Sequence, residues 1–162
     1  SDSVYNLSST WQNQDDKEVK FKDFIGKNMV VVMIYTTCKT ACPILVADMK
    51  TIKSKIPADI LKETNLVLIS IDPEVDTPKK LNDFAKLNNM YGAPWIFLRG
   101  DEDATKEFAN VLSMKFKKVS PIEFSHSNII SIFNKKGELV SQEQGAGINA
   151  DKVVEDLVAV KN

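Results

Sequence analysis

Residues that usually carry polar chemistry are scarce in this chain. It has one histidine, His126, one arginine, Arg99, and two cysteines, Cys38 and Cys42, among 162 residues. A single arginine argues against chemistry built on bidentate clamps for phosphate or carboxylate. Two cysteines are too few for a disulfide framework, so their closeness points to a local redox or metal site. No apolar run approaches the roughly 18 residues of a membrane span; the longest, Met29 to Tyr35, suits a buried strand. Ser1-Asp2-Ser3 has neither the basic nor the apolar region of a signal peptide, so none is expected at the start. A net charge of −1 and a pI of about 5.9 give no electrostatic footprint for nucleic acid. No internal repeat, low-complexity tract or linker interrupts the chain. With 43% hydrophobic and 27% charged residues, a single globular domain over residues 1–162 is expected.

What is present alternates between strand and helix patterns. Val30-Val31-Val32-Met33-Ile34-Tyr35 reads as a strand buried on both faces. Leu45, Met49, Ile52 and Ile56 then fall on one face of a helix, with Pro43 in its first turn and Pro57 at its exit. Leu66 to Ile71 is a second buried strand, followed by Asp72-Pro73 and by Asp76-Thr77-Pro78 opening a helix with Leu81, Phe84 and Ala85. Trp95 to Leu98 reads as a strand, and Phe108, Val111 and Leu112 as a helical stripe. Asn128 to Phe133 and Glu138 to Gln142 make a hairpin around Asn134-Lys135-Lys136-Gly137, before a last helix with Val153, Leu157 and Val160. Val4 to Phe24 reads as short strands and a turn. The expected class is therefore α/β, a central mixed sheet flanked by helices, with an N-terminal β extension, a hairpin at one edge and a C-terminal helix. Sites in such sheets gather beyond the carboxyl ends of strands, where 36–42 and 72–76 lie.

Cys38 falls in the loop leaving a buried strand, and Cys42 at the mouth of the next helix. Four positions apart on a helical turn, their sulfurs can approach within a few ångströms. The helix N-terminus favours thiolate, so a lowered cysteine pKa is expected. Inert packing, a disulfide and a metal pair are the three readings. A C-x-x-C pair here would be the thioredoxin-type redox signature, but Lys39-Thr40-Ala41 make this spacing one residue wider. Structural zinc needs four ligands, more than two cysteines and one histidine supply; monovalent copper, which suits thiolate and imidazole, fits the ligand count better. Any imidazole chemistry must come from His126, expected at the start of the hairpin's edge strand; its alternative is a surface or structural role. Pro121 lies five residues before His126 and does not adjoin that strand.

Four other features have ordinary readings. Asp76 is expected to cap a helix, with Thr77 as its competitor. Asp72 is either a turn-forming Asp-Pro or a group orienting the cysteine site. Gly145-Ala146-Gly147 reads as a turn before the last helix, and Lys135-Lys136 as a solvated hairpin tip.

Several segments, in order along nearly the whole chain, resemble the SCO (SenC) family of copper-binding assembly factors. They are Phe24-Ile25-Gly26-Lys27, Cys38-x-x-x-Cys42-Pro43, Ile69-Ser70-Ile71-Asp72-Pro73-Glu74-Val75-Asp76-Thr77-Pro78 and Ser125-His126-Ser127. The resemblance implies a thioredoxin-like fold and copper held by Cys38, Cys42 and His126. Three places depart from the family pattern: Lys39 where proline is frequent, Val75 where arginine is, and Ser125 where aspartate is. The resemblance further implies a metallochaperone that passes copper to the CuA site of cytochrome c oxidase. Its partners would be an oxidase subunit, with another copper chaperone or a thiol reductant upstream. The implied location is the bacterial periplasm or cell envelope, with any membrane anchor outside this sequence. The rival function is an enzymatic one, a thiol-disulfide oxidoreductase in which Cys38, the more exposed thiol, attacks and Cys42 resolves. A peroxidase of the same fold lacks its P-x-x-x-T-x-x-C motif here, and a sensor without transfer would carry the same residues.

Overall fold

The computed structural model describes residues 3–38, 41–113, 116–120, 123–126, 128–145 and 147–160, with the side chains of 41, 116–120 and 123–126 outside the description. Its centre is a seven-stranded sheet of β1 (Trp11–Asn13), β2 (Glu18–Val19), β3 (Asn28–Ile34), β4 (Thr64–Ser70), β5 (Trp95–Arg99), β8 (Ile129–Phe133) and β9 (Leu139–Gln144), in the order β2-β1-β5-β4-β3-β8-β9. The strands β6 (Phe116–Ser120) and β7 (Glu123–His126) form a separate two-stranded sheet. Every residue of β3, β4 and β8 is buried, as continuous apolar runs require, while β9 alternates between half-buried and exposed as an edge strand should. The mixed sheet with its edge hairpin is the expected one; β6 and β7 were not foreseen.

Register decides where the loops emerge. β3 runs parallel to β4, from Asn28 opposite Thr64 to Ile34 opposite Ser70, and β4 parallel to β5, with Leu66 opposite Trp95. The carboxyl ends of all three strands therefore open on the same edge. β8 runs antiparallel to β3, with Val32 opposite Ile130 and Met29 opposite Phe133. The chain thus enters β8 at the carboxyl end of β3 and leaves it at the amino end.

Among the described residues the α-helices are α1 (Ala41–Lys55), α2 (Ala58–Leu61), α3 (Pro78–Leu87), α4 (Glu102–Val111) and α5 (Ala150–Val158). Pro43 sits in the first turn of α1, where its missing N–H leaves no helical bond unmade. Leu45, Met49 and Ile52 of α1 are buried to 1% exposure or less, as their spacing predicts. α1 is tied to α5 by a Lys55–Asp151 ion pair at 2.8 Å. Phe108 of α4 stacks on Phe21, centroids 4.7 Å apart, while Trp11 meets both edge-on, binding the N-terminal segment to the core.

The amino end of the sheet is closed by the N-terminal segment. The Val4 N–H donates to the Gly137 carbonyl, and the Tyr5 hydroxyl lies 3.0 Å from the Phe24 carbonyl and 3.1 Å from that of Lys27. Gly137 has φ +80°, and a Cβ there would stand 2.5 Å from Ser3 Oγ and 2.7 Å from Tyr5 Cδ2. Only glycine meets both demands. No helix among the described residues is long and apolar enough to cross a membrane.

Candidate metal centre

Cys38 and Cys42 meet at the carboxyl end of β3. After Tyr35 the chain turns, with the Cys38 N–H donating to the Tyr35 carbonyl at 3.2 Å, and two unlike positions result. Cys38 is half-buried in the loop, whereas Cys42, in the first turn of α1, is 1% exposed. The Cys42 N–H donates to Cys38 Sγ at 3.2 Å, as an unpaired first-turn N–H can. The two thiols are also hydrogen-bonded to each other, and they form no disulfide.

The expected lowering of the cysteine pKa does not hold for Cys42. Burial pushes its thiol well above the usual range, and the neighbouring Cys38 and Asp76 push the same way against a hydrogen bond with the Tyr35 backbone. Desolvation of a side chain packed under the helix start outweighs the dipole of that helix. The helix N–H instead serves Cys38, whose sulfur it contacts.

Beneath this pair lies a carboxylate that sequence reasoning placed elsewhere. Thr77, not Asp76, caps α3: its hydroxyl accepts from the Lys80 N–H at 3.3 Å, with Pro78 at the first helical position. Asp76 is fully buried and turned inward. It accepts from Ser70 Oγ at 2.7 Å, from the Thr36 N–H at 3.2 Å and from the Thr36 hydroxyl. The correction has a simple cause: Thr77 supplies the cap one residue later, which frees Asp76 for donors at the ends of β3 and β4. The spacing of Asp76 from a cysteine loop 40 positions earlier carries no sequence signal for this bond.

Asp72 is 4% exposed. Its backbone makes the turn, the carbonyl accepting from the N–H groups of Val75 and Asp76 and the N–H donating to Ser70 Oγ at 3.0 Å. Arg99 does not reach the cysteines: its guanidinium donates to the Pro73 carbonyl at 2.6 Å and to Gln12 Oε1 at 2.7 Å, joining this loop to β1. Of the remaining readings, Lys135 is half-buried and pairs with Glu63 at 3.0 Å, while Lys136 is exposed. Gly145 and Gly147, at φ +106° and +72°, lie between β9 and α5 as turn residues, with Ala146 outside the described residues.

His126 closes β7 instead of opening the hairpin strand, its backbone opposite Phe116. It lies three residues before Ile129, the start of β8 (129 − 126), on the approach to the carboxyl end of β3. Its side chain is outside the described part of the structure, so the two cysteines are the expected ligands seen together.

Comparison with known proteins follows the same lines. A SCO1 protein homologue of Bacillus subtilis (strain 168) is 35% identical over 101 residues, 62% of this chain and 52% of that relative. The alignments to two curated relatives span only 52% and 63% of their lengths. BsSco, described as a member of the Sco family of cytochrome c oxidase assembly proteins in which a disulfide switch was identified, is 27% identical, with a TM-score of 0.80 over 93% of this chain and 89% of its own. Arabidopsis thaliana ScoI, solved with copper bound, shares the fold at 23% identity and a TM-score of 0.76, over 93% of each chain. The fold is thus the thioredoxin-like one of the Sco structures. The SCO1/SenC family model matches residues 5–162, and the chain belongs to that family.

Proposed function

We propose that this chain is a copper metallochaperone that holds copper through the Cys38 and Cys42 thiolates and the His126 imidazole. The observation that carries this reading is the pair of touching thiols, one half-buried and one buried, beside the start of a helix. Two soft sulfur donors at a protected site suit monovalent copper, and one imidazole completes a set of three. Family membership and the copper-bound Arabidopsis relative support it. Copper replaces the thiol protons, so loading requires the reduced pair and releases protons.

Transfer proceeds by ligand exchange. Thiolates of the recipient replace the three ligands one at a time, with Cys38, the more accessible sulfur, first to let go and no free ion released. The recipient is the CuA site of a cytochrome c oxidase subunit, and another copper chaperone or a thiol reductant acts upstream. Location in the bacterial periplasm or cell envelope fits such a recipient. The description of BsSco as an assembly-family member supports this assignment.

Titration of the reduced protein with Cu(I) against a competing chelator tests the site. Tight one-to-one binding, weakened in Cys38→Ser, Cys42→Ser and His126→Ala, is the expected result. Wild-type affinity in His126→Ala removes the imidazole from the ligand set.

One observation favours a second reading. Cys38 is the more exposed member of the pair, and a disulfide switch was identified in BsSco. Cys38 thiolate would attack a disulfide of the recipient, breaking that S–S bond and forming a mixed disulfide. Cys42 would then displace the recipient's sulfur, leaving the recipient with two thiols and this chain with a Cys38–Cys42 disulfide. Reduction of insulin at a thioredoxin-like rate without copper binding would give this reading precedence.

A further inference from the structure

The structure assigns to Asp76 the part of a positioning residue for the cysteine site, acting through Thr36 and Ser70. Thr36 stands two residues before Cys38 (38 − 36), in the stretch that turns from β3 into α1. Both its N–H and its hydroxyl donate to the Asp76 carboxylate. Ser70, at the end of β4, donates to the same carboxylate at 2.7 Å and accepts from the Asp72 N–H at 3.0 Å. The Ile71 N–H donates to the Ile34 carbonyl at 2.8 Å, so the two strand ends are also joined directly. One carboxylate with no exposed surface therefore gathers three donors from two neighbouring strand ends, one of them the start of the cysteine loop.

That arrangement is more than a turn requires. Asp76 is not needed as a cap, since Thr77 supplies it. A buried charge is costly unless its lone pairs are filled, and here they are filled by the group that sets where the cysteine loop begins. Hydrogen bonds to an ionised acceptor are short and directional, so Thr36 is held against two directions of motion at once. Groups behind a ligand-bearing segment orient the ligands without touching the metal. The consequence is that the distance between the Cys38 and Cys42 sulfurs depends on Asp76.

This inference rests on the reading of the cysteine pair as a copper or thiol-exchange site, and its experiment separates the two. Thr36→Val removes the hydroxyl donor and keeps the charge of Asp76; Asp76→Asn keeps the shape and loses the charge; Thr36→Ser restores the hydroxyl. Each folded variant is equilibrated with a glutathione buffer, in which glutathione disulfide takes two electrons and two protons from the Cys38–Cys42 dithiol and becomes two thiols. Each is also titrated with Cu(I) against a chelator. In Thr36→Val and Asp76→Asn the equilibrium constant for forming the Cys38–Cys42 disulfide falls about tenfold, because the sulfurs are less well held together. The Cu(I) dissociation constant of Thr36→Val rises about tenfold, and Thr36→Ser behaves as the wild type.

A residue that only supports the fold would lower the unfolding midpoint and leave both constants unchanged. Equal constants in wild type, Thr36→Val and Asp76→Asn therefore overturn the inference. If Asp76→Asn does not fold, Thr36→Val decides. If the wild type fails to bind Cu(I), the metallochaperone reading falls, and the glutathione constant still decides the role of Asp76.

Discussion

The two ends of the sheet handle buried polar groups in opposite ways. At the amino end several buried polar atoms are paired with backbone or with sequence neighbours, while Asn28 Oδ1 is buried without a partner. Thr64 Oγ1 donates to the Ile60 carbonyl one turn back, the Asn28 N–H to the Glu63 carbonyl, and Asn134 Oδ1 accepts from the N–H groups of Lys136 and Glu138. The Tyr5 hydroxyl joins that end as a neutral donor to two carbonyls. At the carboxyl end a buried carboxylate collects donors from Thr36, just past β3, and from Ser70 at the end of β4, and two thiols face each other. The amino end is finished structure, and the carboxyl end keeps reactive groups in reserve. Charge that is buried and bonded to a loop makes that loop sensitive to a single substitution; neutral local bonds spread the load.

The largest expected effect breaks the comparison at its centre. Asp76→Ala strands the Thr36 and Ser70 donors in a dry site and costs about 3 kcal/mol of unfolding free energy, measured by urea denaturation. A cost below that of Tyr5→Phe would mean the carboxyl end is no more dependent on its charge than the other end. Next, Cys42→Ser places a more strongly hydrated hydroxyl at a site closed to solvent, at a cost of about 2 kcal/mol, whereas Cys38→Ser, at a half-buried site, costs less than half as much. The same asymmetry predicts that iodoacetamide modifies Cys38 well before Cys42 in the folded protein, read by mass spectrometry.

Tyr5→Phe sharpens the amino end, with an expected cost of about 1 kcal/mol at neutral pH. Burial pushes the Tyr5 hydroxyl up to about 12 from 10.0. A raised folded-state value favours the protonated form in the native state. The Tyr5 contribution is therefore complete below pH 10 and fades as pH rises toward 12, while the unfolded chain ionises first. The wild type and Tyr5→Phe should accordingly converge in stability over that window, in unfolding midpoints taken at stepped pH. The smallest effect belongs to Lys135→Ala. Its ion pair with Glu63 at the hairpin tip is half-solvated, so its loss costs less than about 0.5 kcal/mol.

Much of the fold was legible because its signals are local. The continuous apolar runs of β3 and β4 and the 4-3-4 spacing from Leu45 to Ile56 each state their element without help from the rest of the chain. The β6–β7 pair was not legible: Phe116-Lys117-Lys118-Val119-Ser120 sets two lysines side by side and breaks the alternation a strand reading needs. Strand pairing supplied what that pattern did not. In the site, the cysteine spacing and Pro43 located the loop, but the environment of each thiol depended on how deeply α1 packs. Asp76 was misplaced for the same kind of reason. Asp-Thr-Pro satisfies a capping rule at either of its first two residues, and only the position of Ser70 and Thr36 chose between them.

The sequence by itself determined the cysteine pair at a strand–helix junction, the lone histidine near the start of a later strand and the α/β order that sets both beyond the same strand. These are short-range patterns, and physics acts on them within a few residues. Only the tertiary structure decided how completely Cys42 is sealed beside a half-buried Cys38, and that a carboxylate 40 positions beyond Thr36 lies under the cysteine loop. Desolvation and buried hydrogen bonds depend on which surfaces meet, and for this chain that is settled by the parallel register of β3 against β4.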